Sequence, residues 1–91
     1  MQFEWDPKKA KGNRKKHGVS FEEAVSVFYD PLSATFEDPD HSNDELRLIT
    51  VGFSSGNRLL IVSHSDRGEA LRIISARLAT THERKRHEGQ E

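Results

Sequence analysis

The sequence predicts an α+β fold: amino-terminal helices packed on a mostly antiparallel β-sheet, with a short helix closing the chain. Three observations lead there. Helical spacing is confined to the first third and the last few residues, while the segment between them alternates as consecutive hairpins, which segregates helices from strands. The length of 91 residues supports one domain, residues 1–91, with room for a modest core and none for a second catalytic domain. The stretch Arg72-Ile-Ile-Ser-Ala-Arg-Leu-Ala-Thr-Thr-His-Glu-Arg-Lys-Arg86 turns a β-branched strand directly into a polar, arginine-bearing helix start.

Phe3-Glu4-Trp5 alternates and is short, as an edge strand or an aromatic anchor for the terminus would be. Asp6-Pro7 opens the first helix, since Asp6 can accept from free N–H groups and Pro7 suits the first helical position; Gly18 ends it. Lys9, Asn13, Lys16 and His17 share a stripe of this helix, and Ala10 is its one apolar contribution. Ser20-Phe-Glu-Glu23 reads as a capping box with Val19 placed to staple against Ala24, and Phe21, Ala24, Val25 and Phe28 recur at core spacing. Asp30-Pro31 stops that helix.

A short strand is expected over Ser33 to Phe36, followed by an acidic loop from Glu37 to Glu45 in which His41 is exposed. Leu46 to Phe53 and Arg58 to Ser63 form a hairpin about Ser54-Ser-Gly-Asn57, where glycine and asparagine accept positive φ. Asp66-Arg-Gly-Glu69 turns into the next strand. Ile73 and Ile74, being adjacent, point to opposite faces and mark that strand as central. Arg72 and Arg77 are likewise on opposite faces unless the strand ends or bulges between them. Thr80-x-x-Glu83 is a capping box for a terminal helix of about two turns, too polar and short to stand without a docking partner.

Composition narrows the function classes. With no cysteine, disulfides, thiolate catalysis and cysteine-ligated zinc are excluded, and a reducing cytoplasm is the expected setting. No apolar run approaches the roughly 20 residues of a membrane span. The five histidines are too scattered to propose a metal site, and no cofactor is expected. Net charge is −1, but it is segregated: +4 over residues 1–20, −8 over 21–45 and +3 over 46–91. Either the two basic ends converge on one positive face that receives a polyanion, or the blocks neutralise each other on a solvated surface.

Taken together, Phe3-Glu-Trp-Asp-Pro7, Lys16-His-Gly-Val-Ser-Phe-Glu-Glu-Ala24, Asp30-Pro31, Arg47 with Gly52, Gly56-Asn-Arg-Leu-Leu60 and Arg72-Ile-Ile-Ser-Ala-Arg77 with Ala79-Thr80 run nearly end to end. In that order they resemble the BrnT toxins of bacterial type II toxin–antitoxin modules. The resemblance implies a RelE-like fold and a ribonuclease that inhibits translation by cleaving RNA. It also implies neutralisation by a BrnA-like ribbon-helix-helix antitoxin in a 2:2 heterotetramer, with operator DNA contacted through the antitoxin. In that family the position of His87 is more often aromatic, usually tyrosine, and that of His64 apolar or aromatic, so neither histidine is assigned a task. The alternative is a non-catalytic RNA-binding protein, or a decayed toxin that acts only as co-repressor with its antitoxin.

Metal-free RNA cleavage needs a proton acceptor for the 2′-hydroxyl, a donor for the 5′-oxygen, and cations beside the phosphorus oxygens. His17 is the first candidate for proton transfer, against its alternative as a cap on the carbonyls at its helix end. Arg72, Arg77 and Arg84 are the candidate catalytic phosphate clamps, since guanidinium forks fit phosphate; the alternative is pairing with acids such as Glu83 or with the antitoxin. Lys9, Lys16, Arg47 and Arg58 are candidates for RNA binding. Trp5 either stacks on a base or packs the amino terminus.

Overall fold

The computed structural model describes residues 1–38 and 46–89; His41 and the acidic tract from Asp40 to Glu45 lie outside them. In chain order the elements are β1 (Gln2–Glu4), α1 (Pro7–His17), α2 (Phe21–Val27), β2 (Ala34–Glu37), β3 (Arg47–Phe53), β4 (Leu59–Arg67), β5 (Ala70–Leu78) and α3 (Thr81–Glu88). The strands form one sheet in the order β1-β5-β4-β3-β2, antiparallel except for the parallel pairing of β1 with β5.

The caps act largely as the sequence predicts. Asp6 accepts from the Lys8 N–H at 2.8 Å, and Gly18 takes the left-handed φ of 69° that closes α1. Ser20 accepts from the Glu23 N–H at 3.0 Å, but only half of a capping box forms, because the Glu23 carboxylate is drawn away to Arg58 and Ser54. Thr80 and Glu83 make the complete box at the start of α3.

One face of the sheet is covered by α1 and α2. Val19, Phe21, Ala24 and Val27 meet Leu60, Val62, Leu71, Ile73 and Ala76 there, all buried. Each large side chain so removed from water contributes about 1.5–3 kcal/mol. Val27 completes the buried stripe of α2, while Val25 and Phe28 are only partly covered. Phe3 and Trp5 pack against the same core, with Trp5 edge-on to Phe21 at 5.9 Å, so the aromatic terminus is an anchor. Gly52 lets the end of α2 approach β3: a Cβ there would stand 2.9 Å from the Ser33 Cβ and 3.0 Å from a Val27 methyl. Asp30 fixes the same junction by accepting from the Phe53 N–H at 2.8 Å and the Leu32 N–H at 3.0 Å.

Three features correct the expected pattern. β5 is not central along its whole length, since β1 pairs only with Ala70 to Arg72. The pairing of β4 with β5 skips Ile74, passing from Ser63 opposite Ser75 to His64 opposite Ile73. This bulge leaves Ile74 partly exposed while Ile73 is 1% exposed. Asn13, expected on a polar stripe, is buried: its amide donates to Val19 O at 2.9 Å and Ala76 O at 2.8 Å and accepts from the Ala76 N–H at 3.1 Å. It thereby satisfies the edge of β5 beyond the reach of β1.

Candidate functional site

The second face of the sheet is open, and α3 closes one end of it. By strand alternation this face carries Ala34 and Phe36 of β2, Arg47, Ile49 and Val51 of β3, Ile61 and Ser65 of β4, and Arg72 and Arg77 of β5. Arg72 and Arg77 share it because the bulge at Ile74 reverses the alternation between them. A groove of about 290 Å³ lies here. Its floor is apolar, made by Ala34, Phe36, Ile49, Val51 and Ile61, and its wall is polar, made by Arg77, Glu83, Arg86 and His87.

Sequence-local chemistry places that wall. The Thr80 cap starts α3 directly after β5, so Glu83 and His87, one helical turn apart, come to the same side as Arg77. Arg77 donates from both terminal nitrogens to Glu83, at 2.8 Å each, and to Leu78 O at 3.2 Å. Glu83 also accepts from the Thr80 N–H at 2.9 Å. The Arg77 guanidinium, together with this backbone bond, holds the Glu83 carboxyl down to about 2. The same pairing raises Arg77. A carboxylate so strongly stabilised is a poor proton acceptor, and its two oxygens hold the guanidinium fork in place.

His87 is the one histidine among the described residues that lines the groove. Its ring packs at 62° on Phe53, 6.3 Å between centroids, while Arg84 lies over the same phenyl ring at 5.8 Å. Arg84 thus docks α3 through Phe53 and pairs with Glu88 at 3.6 Å. Arg86 lines the groove and has no ion pair among the described residues.

The other expected site residues are dispersed. α1 lies on the helical face, tied to β5 through Asn13, and none of its residues lines the groove; Lys9, Lys16 and His17 are therefore not brought together with Arg77. Arg58 joins the helical layer to the β3–β4 turn, donating to Glu23 from Nε at 2.9 Å and from Nη2, and to Gly18 O at 3.1 Å. Arg72 stands 3.9 Å from Glu4.

His64 lies on the opposite side of the sheet from the groove, 2% exposed, edge-on to Phe28 at 4.9 Å. Its Nε2 is 2.7 Å from Thr50 Oγ1, which is 2.7 Å from Thr35 Oγ1; its Nδ1 has no partner among the described residues. Burial pushes its pKa down to about 4. Among the described residues no cluster of three or more His, Asp or Glu is arranged to hold a metal, and no helix is long and apolar enough to cross a membrane.

The sequence left Arg86 outside the candidate residues and His87 without a task, because the strand-to-helix geometry that folds α3 back over the sheet is not a periodicity. The available signal was the Thr80 box together with Glu83 and His87 at i and i+4.

Comparison with known proteins places this geometry. The family model described as "Ribonuclease toxin, BrnT, of type II toxin-antitoxin system" matches residues 5–83. A 1.1 Å crystal structure of the Brucella abortus ribonuclease toxin BrnT superposes with a TM-score of 0.66 at 28% identity, covering 89% of this chain and 99% of that one. Curated protein sequences give no match. The family match ends at Glu83, so Arg86 and His87 lie beyond it.

Proposed function

The chain belongs to the BrnT family of ribonuclease toxins from type II toxin–antitoxin systems, and we propose from that membership that it is a metal-independent endoribonuclease working in the α3 groove. The observation that carries this reading is the gathering of His87, Arg77 and Arg86 above an apolar floor. That floor accepts an unpaired base, and the cations accept the phosphate beside it.

In the reaction, the 2′-oxygen bonds to phosphorus and the bond from phosphorus to the 5′-oxygen breaks. His87 takes the proton of the 2′-hydroxyl and the departing 5′-oxygen takes a proton from water. Arg77, preoriented by Glu83, and Arg86 stabilise the charge that grows on the phosphoryl oxygens. His87 replaces His17 as the proton-transfer group, since α1 does not reach the groove. Cleavage of cellular RNA stops translation. A ribbon-helix-helix antitoxin neutralises the toxin in a 2:2 heterotetramer, and operator DNA is contacted by the antitoxin.

The test is incubation of antitoxin-free protein with single-stranded RNA in EDTA, reading 2′,3′-cyclic phosphate ends. Cleavage that is lost in His87→Gln supports the assignment. Intact RNA with retained binding favours the second reading, a non-catalytic RNA binder, for which the occupied Arg77–Glu83 pair is the supporting observation.

A further inference from the structure

The register of the sheet aligns a second set of charges on the groove face, away from α3. Arg47 of β3 is paired with Ser65 of β4, and Ser65 with Arg72 of β5. Residues paired this way point to the same face, so the row reads arginine, serine, arginine across three adjacent strands. With strands about 4.8 Å apart, the two arginine Cα atoms are about 10 Å apart. Glu4 closes the row at one end, pairing with Arg72 in the β1 register, and Asp38 adjoins Arg47 at the other.

Two observations separate this row from an ordinary solvated patch. Ser65 is 0% exposed and its hydroxyl has no hydrogen-bond partner among the described residues, a state that folded proteins rarely leave uncorrected. Among the described residues, Arg47 makes no hydrogen bond or ion pair through its side chain and Arg72 has only the 3.9 Å approach of Glu4. Two under-used guanidiniums thus flank an unused hydroxyl. The bulge at Ile74 puts Arg72 on the face that also carries Arg77. Along β5 the two are about 15 Å apart at ordinary strand rise.

We propose that Arg47, Ser65 and Arg72 form a second phosphate subsite, which holds the RNA backbone a few nucleotides from the Arg77 and His87 centre and sets the path of the strand along β5. The guanidiniums receive two phosphoryl oxygens, and the Ser65 hydroxyl gains the partner it lacks as the arginine chains rise to the phosphate. The inference rests on the groove being an RNA site, but not on RNA being cut there.

The test measures binding of a mixed-sequence single-stranded RNA by fluorescence anisotropy at several salt concentrations, using antitoxin-free protein. Arg47→Gln and Arg72→Gln are each expected to weaken binding by about 3- to 10-fold and to lower the salt slope by about 0.7. The double variant should weaken binding by less than the product of the single effects, because both arginines hold one phosphate. Ser65→Ala is the discriminating variant: it should weaken RNA binding while leaving the melting temperature unchanged or higher, since an unpaired buried hydroxyl is removed. A structural serine would instead lower the melting temperature with no specific loss of RNA.

Wild-type affinity and salt slope in both arginine variants would overturn the subsite. So would unchanged RNA binding with weakened capture of the antitoxin, which would make the row a protein interface. If wild-type protein binds RNA with the expected variant pattern but never cleaves it, the ribonuclease reading fails and the subsite stands.

Discussion

Two bidentate arginine–glutamate pairs lie among the described residues, and their surroundings divide the molecule. Arg58–Glu23 sits where the helical layer meets the β3–β4 turn. There the guanidinium also holds Gly18 O, and the carboxylate also accepts from Ser54 Oγ at 2.6 Å. Every strong group in that pair is tied to backbone or side chain that the fold needs. Arg77–Glu83 has the same chemistry beside an open groove, with Arg86 and His87 as neighbours and the Arg77 side chain 41% exposed. A phosphate arriving there can share or replace the carboxylate. Fork geometry alone therefore does not distinguish a structural pair from a working one; what surrounds the fork does.

The largest expected effect tests that division directly. Arg77→Ala should lower cleavage by about 100- to 1000-fold, the cost of losing one preorganised donor to a growing negative charge. Its melting temperature should stay near the wild-type value, because a pair this exposed contributes little to stability. Arg77→Lys should retain part of the rate, keeping charge without the fork. Arg58→Ala should do the reverse, lowering the melting temperature while activity follows the folded fraction. Thermal melts beside initial rates decide it. If Arg77→Ala loses stability in step with activity and a double change with Glu83 restores both, the two pairs are alike and the comparison collapses.

Acid should separate the two faces in different pH windows. Buried His64 has its pKa depressed to about 4, against 6.5 for the free side chain, so the unfolded chain binds a proton that the native state refuses. Stability should therefore fall as pH drops from about 6.5 to about 4, by about 3 kcal/mol in all. On the groove side, Glu83 is held down to about 2 from 4.5, so its contribution is present above 4.5 and fades only as pH falls toward about 2. The exposure of that pair makes the second loss the smaller one. Denaturant unfolding from pH 7 to 3 resolves the windows. His64→Leu should flatten the first; a wild-type slope in that variant would remove His64 as its source.

Much of this was legible before the structure. Capping residues and apolar spacing located α1, α2, α3 and the hairpins, because each signal is local to a few residues. The same locality explains the failures. Whether Arg72 and Arg77 share a face depends on one skipped residue, Ile74, and a β-bulge is decided by how two strands pair. Asn13 reads as one more polar residue on a basic helix, yet its amide completes the edge of a strand 63 positions away. His87 gains its place only when α3 folds over Phe53. The family motifs were visible as residues, and the structure supplies their physical reasons: Gly52 for the close approach of α2, Asp30 for the junction with β3, and Arg58 for the tie to Glu23.

The smallest expected effect concerns how firmly α3 is held. Thr80 Oγ1 accepts from the Glu83 N–H at 3.1 Å, while the Glu83 carboxylate accepts from the Thr80 N–H and grips Arg77. One glutamate therefore links the start of the helix to the groove. Thr80→Ala removes the hydroxyl acceptor and should cost about 1 kcal/mol, the ordinary value of an N-cap. No α3 residue is fully buried, so the loss should appear as local opening of the helix. Hydrogen exchange should quicken in 81–88 and stay slow in β4 and β5. The cleavage rate should fall several-fold, because His87 and Arg86 spend less time over the groove, and Thr80→Ser should restore both exchange and rate. Faster exchange with an unchanged rate would show that the groups proposed for catalysis do not depend on an ordered α3, and the boundary between structural and working regions would then have to be drawn at Arg77 itself.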